Sequence, residues 1–428
     1  MKKLKNTKSF LFLLILNFLI ISFLIYRLPL NPISYNDMSR LAGTIAIARY
    51  NKFYIDDTVF VVTGDKVFYN NHYYSSKPPV LHTLLGYITH SFFKLKPQLL
   101  ANDNAIYKFI TFLSVVLPLI LIFNVFFILL FFNFKLNYKY SLFFSIFLVV
   151  GTLLFTFSRY LNNHVLESFL SLLFVYVYFN KNRLSLNFYY PLIGFILSLI
   201  FVIDITFGAV FLPMVFWLIF HKNNFSLKNI LLIFLGLSPL VFFHFYLWYS
   251  QLNTFLPPQL FPYKYLNYPG SPWVGINQSV KSLNHPFLLR LFNYTFGTHG
   301  LFLYQPILIF PYIYLKKIPK KYREYFIFTV FITLGYIFLN AMLQPDYFGS
   351  AFGPRRFLPL IILNMVLLTT LFKNFLRKSN KPFILLTCLT IIISLLGYLN
   401  PWNNYASNLP IFGNTLFPLV YTFYITLF

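Results

Sequence analysis

Four polar pieces of this chain carry side chains that can do chemistry. The first is Asp37, in SYNDMSRLA, about ten residues after an apolar stretch. A helix starting there sets Asp37 and Arg40 on one face, because residues i and i+3 are neighbours. An aspartate so placed is either a general base or an ordinary helix cap. The second is Lys77, in SSKPPV, where two prolines hold the backbone out of a regular helix. Its ammonium can meet a phosphate or simply snorkel at a membrane surface. The third is SRYLNNHVLE, with Arg159, Asn162, Asn163 and His164 crowded between two apolar segments. Its plain reading is a polar hairpin tip. The fourth is FGSAFGPRRFLPL, where Arg355 and Arg356 follow two glycines and a proline. Guanidinium forks suit bidentate phosphate binding.

The elements that must position these residues are apolar helices. The chain is 58% hydrophobic and 10% charged, with mean hydropathy +0.68, against about 25% charged in soluble domains. Apolar runs near the roughly 20 residues needed to cross a bilayer recur throughout. This predicts an all-α polytopic membrane protein of about 12 crossings, from Phe10–Tyr26 to Leu416–Phe428. Pro191–Val202 and Phe207–Phe220 read as two short legs turning at Asp204, since one tilted span would bury an aspartate in lipid. Gly300–Leu315 reads as one crossing. The basic start and long uncut apolar run read as an anchor with its N-terminus inside. No soluble domain, linker or repeat is expected. The single cysteine, Cys388, excludes an intrachain disulfide.

The net charge of +25 does not point to nucleic acid. More than half of the 34 basic residues sit at the N-terminus or in short loops: Lys135/Lys139, Lys181/Arg183, Lys222/Lys228, Lys316 to Arg323 and Lys373 to Lys381. That is the positive-inside pattern, with anionic lipids as its natural partner. Eight of the nine acids fall on the opposite side: Asp37, Asp56, Asp57, Asp65, Asp103, Glu167, Asp204 and Asp346. Glu324 stays with the basic loops. Two long outer loops, 27–108 and 250–299, make a polar working face. In the first, MSRLAGTIAIARY and VLHTLLGYITHSFFKL read as interfacial helices. The abundance of Phe, Tyr, Asn, Lys and Ile is the bias of an AT-rich genome. It points to the plasma membrane of a bacterium, with the active face extracytoplasmic.

An early-loop aspartate, KPP about forty residues later, paired legs meeting at an acid, and a late GxxFGPR together resemble the membrane glycosyltransferases of GT-C fold. The nearest likeness is to glycosyltransferase family 39, the protein-mannosyltransferase and aminoarabinose-transferase group. It covers roughly the first 220 residues and the Gly349–Pro359 patch. The resemblance implies transfer of a sugar from a polyprenyl-phosphate donor to a protein, lipid or glycan acceptor. It implies Asp37 as the catalytic residue and Lys77 beside the donor phosphate. Arg159 and Arg355 add positive charge there, and Arg40, Asn162, Asn163, His164, Asp204 and Arg356 are further candidates for binding substrate. The aminoarabinose transferases have an acidic metal ligand just before that lysine; Ser76 stands there instead. A divalent metal is thus an open alternative, with His72, His82 and His164 on the appropriate side.

The chemistry needs a base for the acceptor and cations for the departing phosphate. No P-loop or DxD-type carboxylate pair suggests nucleotide or nucleotide-sugar use. The competing reading is a transporter or flippase of a lipid-linked sugar; a structural assembly factor is a third.

Overall fold

The computed structural model describes residues 7–29, 31–32, 34–221, 226–271, 286–297, 299–343, 351–372, 381–399 and 401–402. The expected last crossing, Asp346 and most of the Lys373 to Lys381 loop lie outside the described residues. The chain is mostly helical. Among the described residues, the longer helices are α1 (Thr7–Tyr26), α2 (Tyr35–Tyr50), α3 (Pro79–Phe93), α4 (Asp103–Asn133), α5 (Tyr138–Val150), α6 (His164–Phe179), α7 (Leu186–Ile203), α8 (Ile205–Phe220), α9 (Leu227–Leu252), α10 (Arg323–Leu343), α11 (Leu358–Leu371) and α12 (Lys381–Leu399).

Among the described residues, five stretches are long and apolar enough to cross a membrane: α4, α7, α9, Lys320–Leu343 around α10, and α12. Apolar residues of α9 face outward, among them Leu231, Phe234, Leu235, Phe242 and Tyr246. Its 26 residues span about 39 Å, enough for the hydrocarbon core. A long helix that shows such a face outward belongs in lipid, so the chain has the character of an integral membrane protein. At the centre, every residue of α11 is buried. Its Asn364 is satisfied by the Tyr312 hydroxyl at 2.7 Å and by donating to Thr333 Oγ1 at 3.0 Å.

The paired legs are present: α7 ends at Ile203 and α8 begins at Ile205. Asp204 alone intervenes, its Oδ1 accepting from the Thr206 and Phe207 amides. Helices α7 and α9 touch backbone to backbone. A Cβ on Gly194 would lie 2.0 Å from the Ile233 carbonyl oxygen, and one on Gly236 2.0 Å from that of Pro191. Small residues make such close approach between apolar helices possible.

Three expectations need correction. Gly300–Leu315 is not one helix; it breaks into Leu301–Tyr304, Pro306–Ile309 and Phe310–Ile313, because Pro306 and Pro311 interrupt the hydrogen-bond ladder. The fold is not all-α: strands β1 (Lys66–Tyr69) and β2 (His72–Ser75) form an antiparallel hairpin. Asn70 and Asn71 at its tip both have positive φ, 48° and 64°, as a two-residue hairpin turn requires. Finally, α2 is not interfacial: Asp37 and Ser39 through Ala48 are buried. Helix α3 does fit an interfacial place, since Leu84, Tyr87, Ile88 and Phe92 form an exposed apolar row.

The two long loops meet. Gln259 donates to the Ser76 carbonyl at 2.7 Å, and Val67, Tyr74, Trp248, Leu252 and Tyr265 share one apolar cluster. They therefore lie on one side, as the two-leg reading requires. Along α8, Asp204 stands at one end and His221 at the other, where it faces Glu324 at 3.5 Å. Glu324 is thus at the opposite end of α8 from Asp204.

Candidate active site

Asp37 is the third residue of α2, whose N-cap is Ser34. It is therefore not itself the cap. The Ser34 hydroxyl accepts from the Asp37 amide at 3.2 Å and donates to Asp37 Oδ1 at 2.8 Å. The Tyr107 hydroxyl, reaching in from α4, donates to Oδ2 at 3.5 Å. These contacts fix a carboxylate that is 1% exposed. One turn on, Arg40 Nη2 donates to Asn163 Oδ1 at 2.6 Å and Nη1 to Asn36 at 3.3 Å. The expected Asp37–Arg40 face exists, and Asn163 joins it from the tip before α6.

Lys77 is placed by the hairpin. The register sets Lys66 opposite Ser75, which brings the residues flanking the strands, Asp65 and Ser76, side by side. Lys77 Nζ then reaches Asp65 Oδ2 at 2.6 Å. Ser39 of α2 locks the same corner, donating to the Asp65 carbonyl at 2.6 Å and sharing a hydrogen bond with Ser75.

Burial disfavours the Lys77 ammonium and brings its pKa down to about 8; Asp65 opposes that and Arg40 adds to it. Burial works the other way on Asp65, but Lys77, then Arg355 and Arg40, outweigh it and hold the carboxyl below its ordinary value. Arg40 is lowered by burial against the pull of Asp37, Asp65 and Asp204; a guanidinium remains charged regardless. Desolvation, with Arg40 nearby, takes His82 down to about 3, so it is neutral at physiological pH.

Two crevices open on this ground. One is lined by Asn36, Asp37, Arg40, Asn162, His164 and Arg355 among others; the other by Arg40, Lys77, Leu81, His82, Leu85 and Ile203. Arg40 and Asn163 belong to both and form the wall between them. The first holds a carboxylate and amides. The second pairs cations with an apolar lining.

Arg355 is aimed by its turn. Gly353 has φ +69°, in the region that favours glycine, and a Cβ there would meet the Tyr304 ring at 2.7 Å. The Phe352 amide bonds the Pro401 carbonyl, and the Arg355 guanidinium lies 5.1 Å over the Trp402 ring. Arg356 acts electrostatically on His164 and Glu167. Arg159 lines neither crevice; it stacks 5.0 Å from both Tyr160 and Tyr398. Asn162 is turned to its own loop, donating to the Phe157 and Tyr160 carbonyls. Asp204 packs near His164, behind the Asn163 wall.

The metal implied by the resemblance does not fit at Lys77. Ser76 is a neutral, buried hydroxyl with no hydrogen-bond partner among the described residues, and Asp65 Oδ2 is already held by Lys77. The three histidines do not gather either: His72 pairs with Asp56, His82 faces Arg40 and Lys77, and His164 pairs with Glu167. Sequence reading gave no role to Asp65, Ser34 or Tyr107. The Asn-Asn turn between alternating aromatic strands was a readable sign of the hairpin, and hence of the Asp65–Lys77 pairing. Ser34 three residues before Asp37 was a readable capping signal. Nothing local marked Tyr107. No protein-family model, curated protein or solved structure matches the chain.

Proposed function

We propose that the chain is a membrane glycosyltransferase of GT-C type, with about 12 crossings, resembling family 39. It moves a sugar from a polyprenyl-phosphate donor to an acceptor on the extracytoplasmic face of a bacterial plasma membrane. The observation that carries this reading is the pair of adjoining crevices, one with a buried carboxylate and one with the buried Arg40 and half-buried Lys77, sharing the Arg40–Asn163 wall.

In this mechanism the donor phosphate enters the second crevice and meets Lys77 and Arg40, its isoprenoid tail running along the apolar residues Leu81, Leu85 and Ile203. The sugar carbon faces the first crevice. Asp37 takes the proton of the acceptor hydroxyl or amine as the new bond to the sugar carbon forms. The carbon–oxygen bond to phosphate breaks, its electron pair goes to the phosphate oxygen, and the cations stabilise the charge that develops. Attack opposite the leaving group inverts the anomeric centre. Each cavity, about 10 Å³, has room for a water molecule and not for a sugar, so α2 and the wall must part when substrates enter.

The test is reconstitution of the full chain in vesicles containing a radiolabelled polyprenyl-phosphate sugar and membrane extract as acceptor source. The expected result is free polyprenyl phosphate and label transferred to acceptor. Movement of intact donor between leaflets without release of polyprenyl phosphate contradicts the proposal and favours a flippase.

A further inference from the structure

We propose that His164, Glu167 and Asp204 form a binding site for a divalent transition-metal ion where α6 begins and α7 gives way to α8. The proposal stands independently of the transferase reading. One ligand atom from each residue lies within 4.8 Å of the others. Two ligands bound at about 2.1 Å to one ion can be no more than about 4.2 Å apart, so the site needs to close by roughly half an ångström.

Proximity alone would be weak; the hydrogen bonding adds a second observation. Glu167 is fully buried, and while Oε2 meets His164 Nδ1 at 3.2 Å, Oε1 has no hydrogen-bond partner among the described residues. A buried carboxylate oxygen left without a donor is costly unless something positive satisfies it. Asp204 divides its oxygens in the same sense. Oδ1 takes the Thr206 amide, the Thr206 hydroxyl and the Phe207 amide. Oδ2 is directed to His164 Nδ1 at 4.0 Å, too far for a hydrogen bond and within the span of two ligands on one ion.

One imidazole and two carboxylates suit Zn²⁺ or Mn²⁺ better than Ca²⁺ or Mg²⁺, which favour all-oxygen sets. Arg355, Arg356, Arg40 and Lys77 all act on the His164 ring. Only two ionised carboxylates can hold an extra cation in such company. The alternative occupant is a single proton shared by Glu167 and Asp204.

The experiment uses the purified, chelator-stripped full chain in detergent. Mn²⁺ binding is followed by electron paramagnetic resonance and Zn²⁺ binding by the shift in thermal midpoint. The expected result is one saturable ion per chain, with affinity lowered more than about 100-fold in Glu167→Gln, since loss of mere outer-shell partners already costs about 10- to 100-fold. Asp57→Asn, at the exposed pair with Lys52 and outside the site, should bind as the wild type does. Should Glu167→Gln fail to fold, His164→Asn is expected to show the same loss. No saturable binding by the wild type, or wild-type affinity in the folded variant, overturns the proposal. So does an infrared band of a protonated carboxyl that persists in saturating Zn²⁺ and disappears in Glu167→Gln.

Discussion

Lys77 is the residue whose chemistry depends most sharply on its surroundings. An exposed lysine is an ammonium across the whole physiological range; this one, half-buried beside Asp65 and Arg40, has its pKa brought down to about 8. Below that pH it can pair with a donor phosphate, and above it the neutral amine cannot. Donor affinity of the free protein, read by equilibrium binding to vesicles, should therefore fall as pH rises through about 8, approaching about tenfold per pH unit. Lys77→Arg should flatten that limb, because a guanidinium stays charged. A wild-type profile flat to high alkaline pH would show that Lys77 does not contact the phosphate. At this scale much was legible in the sequence: Asp37, Arg40, Lys77, Asn163 and Arg355 do meet around the two crevices. Arg159 does not join them, because local spacing says which loop a residue occupies and not which ring its side chain covers. Asp65 went without a role because its link to Lys77 depends on strand register.

Elements are held by close contacts that tolerate little change. Where α7 crosses α9, Gly194 and Gly236 leave no space for a side chain against a backbone carbonyl. Gly194→Leu must push the helices apart, and we expect a loss of about 3 kcal/mol or more. A Cβ on Gly335 would meet the Val210 side chain at 3.2 Å and, among the described residues, no backbone atom within 4 Å, so Gly335→Ala should cost less than about 1.5 kcal/mol. Thermal unfolding of both variants in detergent makes the comparison; equal losses would mean that the α7–α9 crossing is not where packing is tightest. The Asp204 break was readable, because an acid in the middle of a long apolar run needs a helix end. The breaks at Pro306 and Pro311 were readable too, and reading apolar length ahead of proline position hid them. Burial of α2 was not readable: its sequence is amphipathic in pattern, and it takes α3 and α4 against Leu41 and Ile45, with Ile55, Phe60, Val61 and Tyr73 against Ala42 and Ala46, to cover both faces.

For the molecule as a whole, the contact between the two long loops sets the topology. Leu95 and Tyr263 are highly exposed positions, one in each loop. In a Cys388→Ser background, Leu95→Cys and Tyr263→Cys should both react with an impermeant maleimide added outside intact cells. Asn182→Cys, at the exposed basic turn after α6, should react only after permeabilisation. Labelling of Leu95→Cys and Tyr263→Cys from opposite sides would turn the Pro191–Phe220 region into a single crossing and separate the loops that build the site.

In the proposed reaction Asp37 performs base catalysis on a donor held by the neighbouring cations. Asn at position 37 keeps the shape and can still accept a hydrogen bond from Ser34, yet it cannot take a proton from the acceptor. Turnover of polyprenyl-phosphate sugar and donor affinity should be measured side by side in wild type and Asp37→Asn, reconstituted identically. Turnover in Asp37→Asn is expected to be lower by about 10² to 10⁴, with donor affinity within about threefold of wild type. Near wild-type turnover in a folded, inserted Asp37→Asn protein would contradict it.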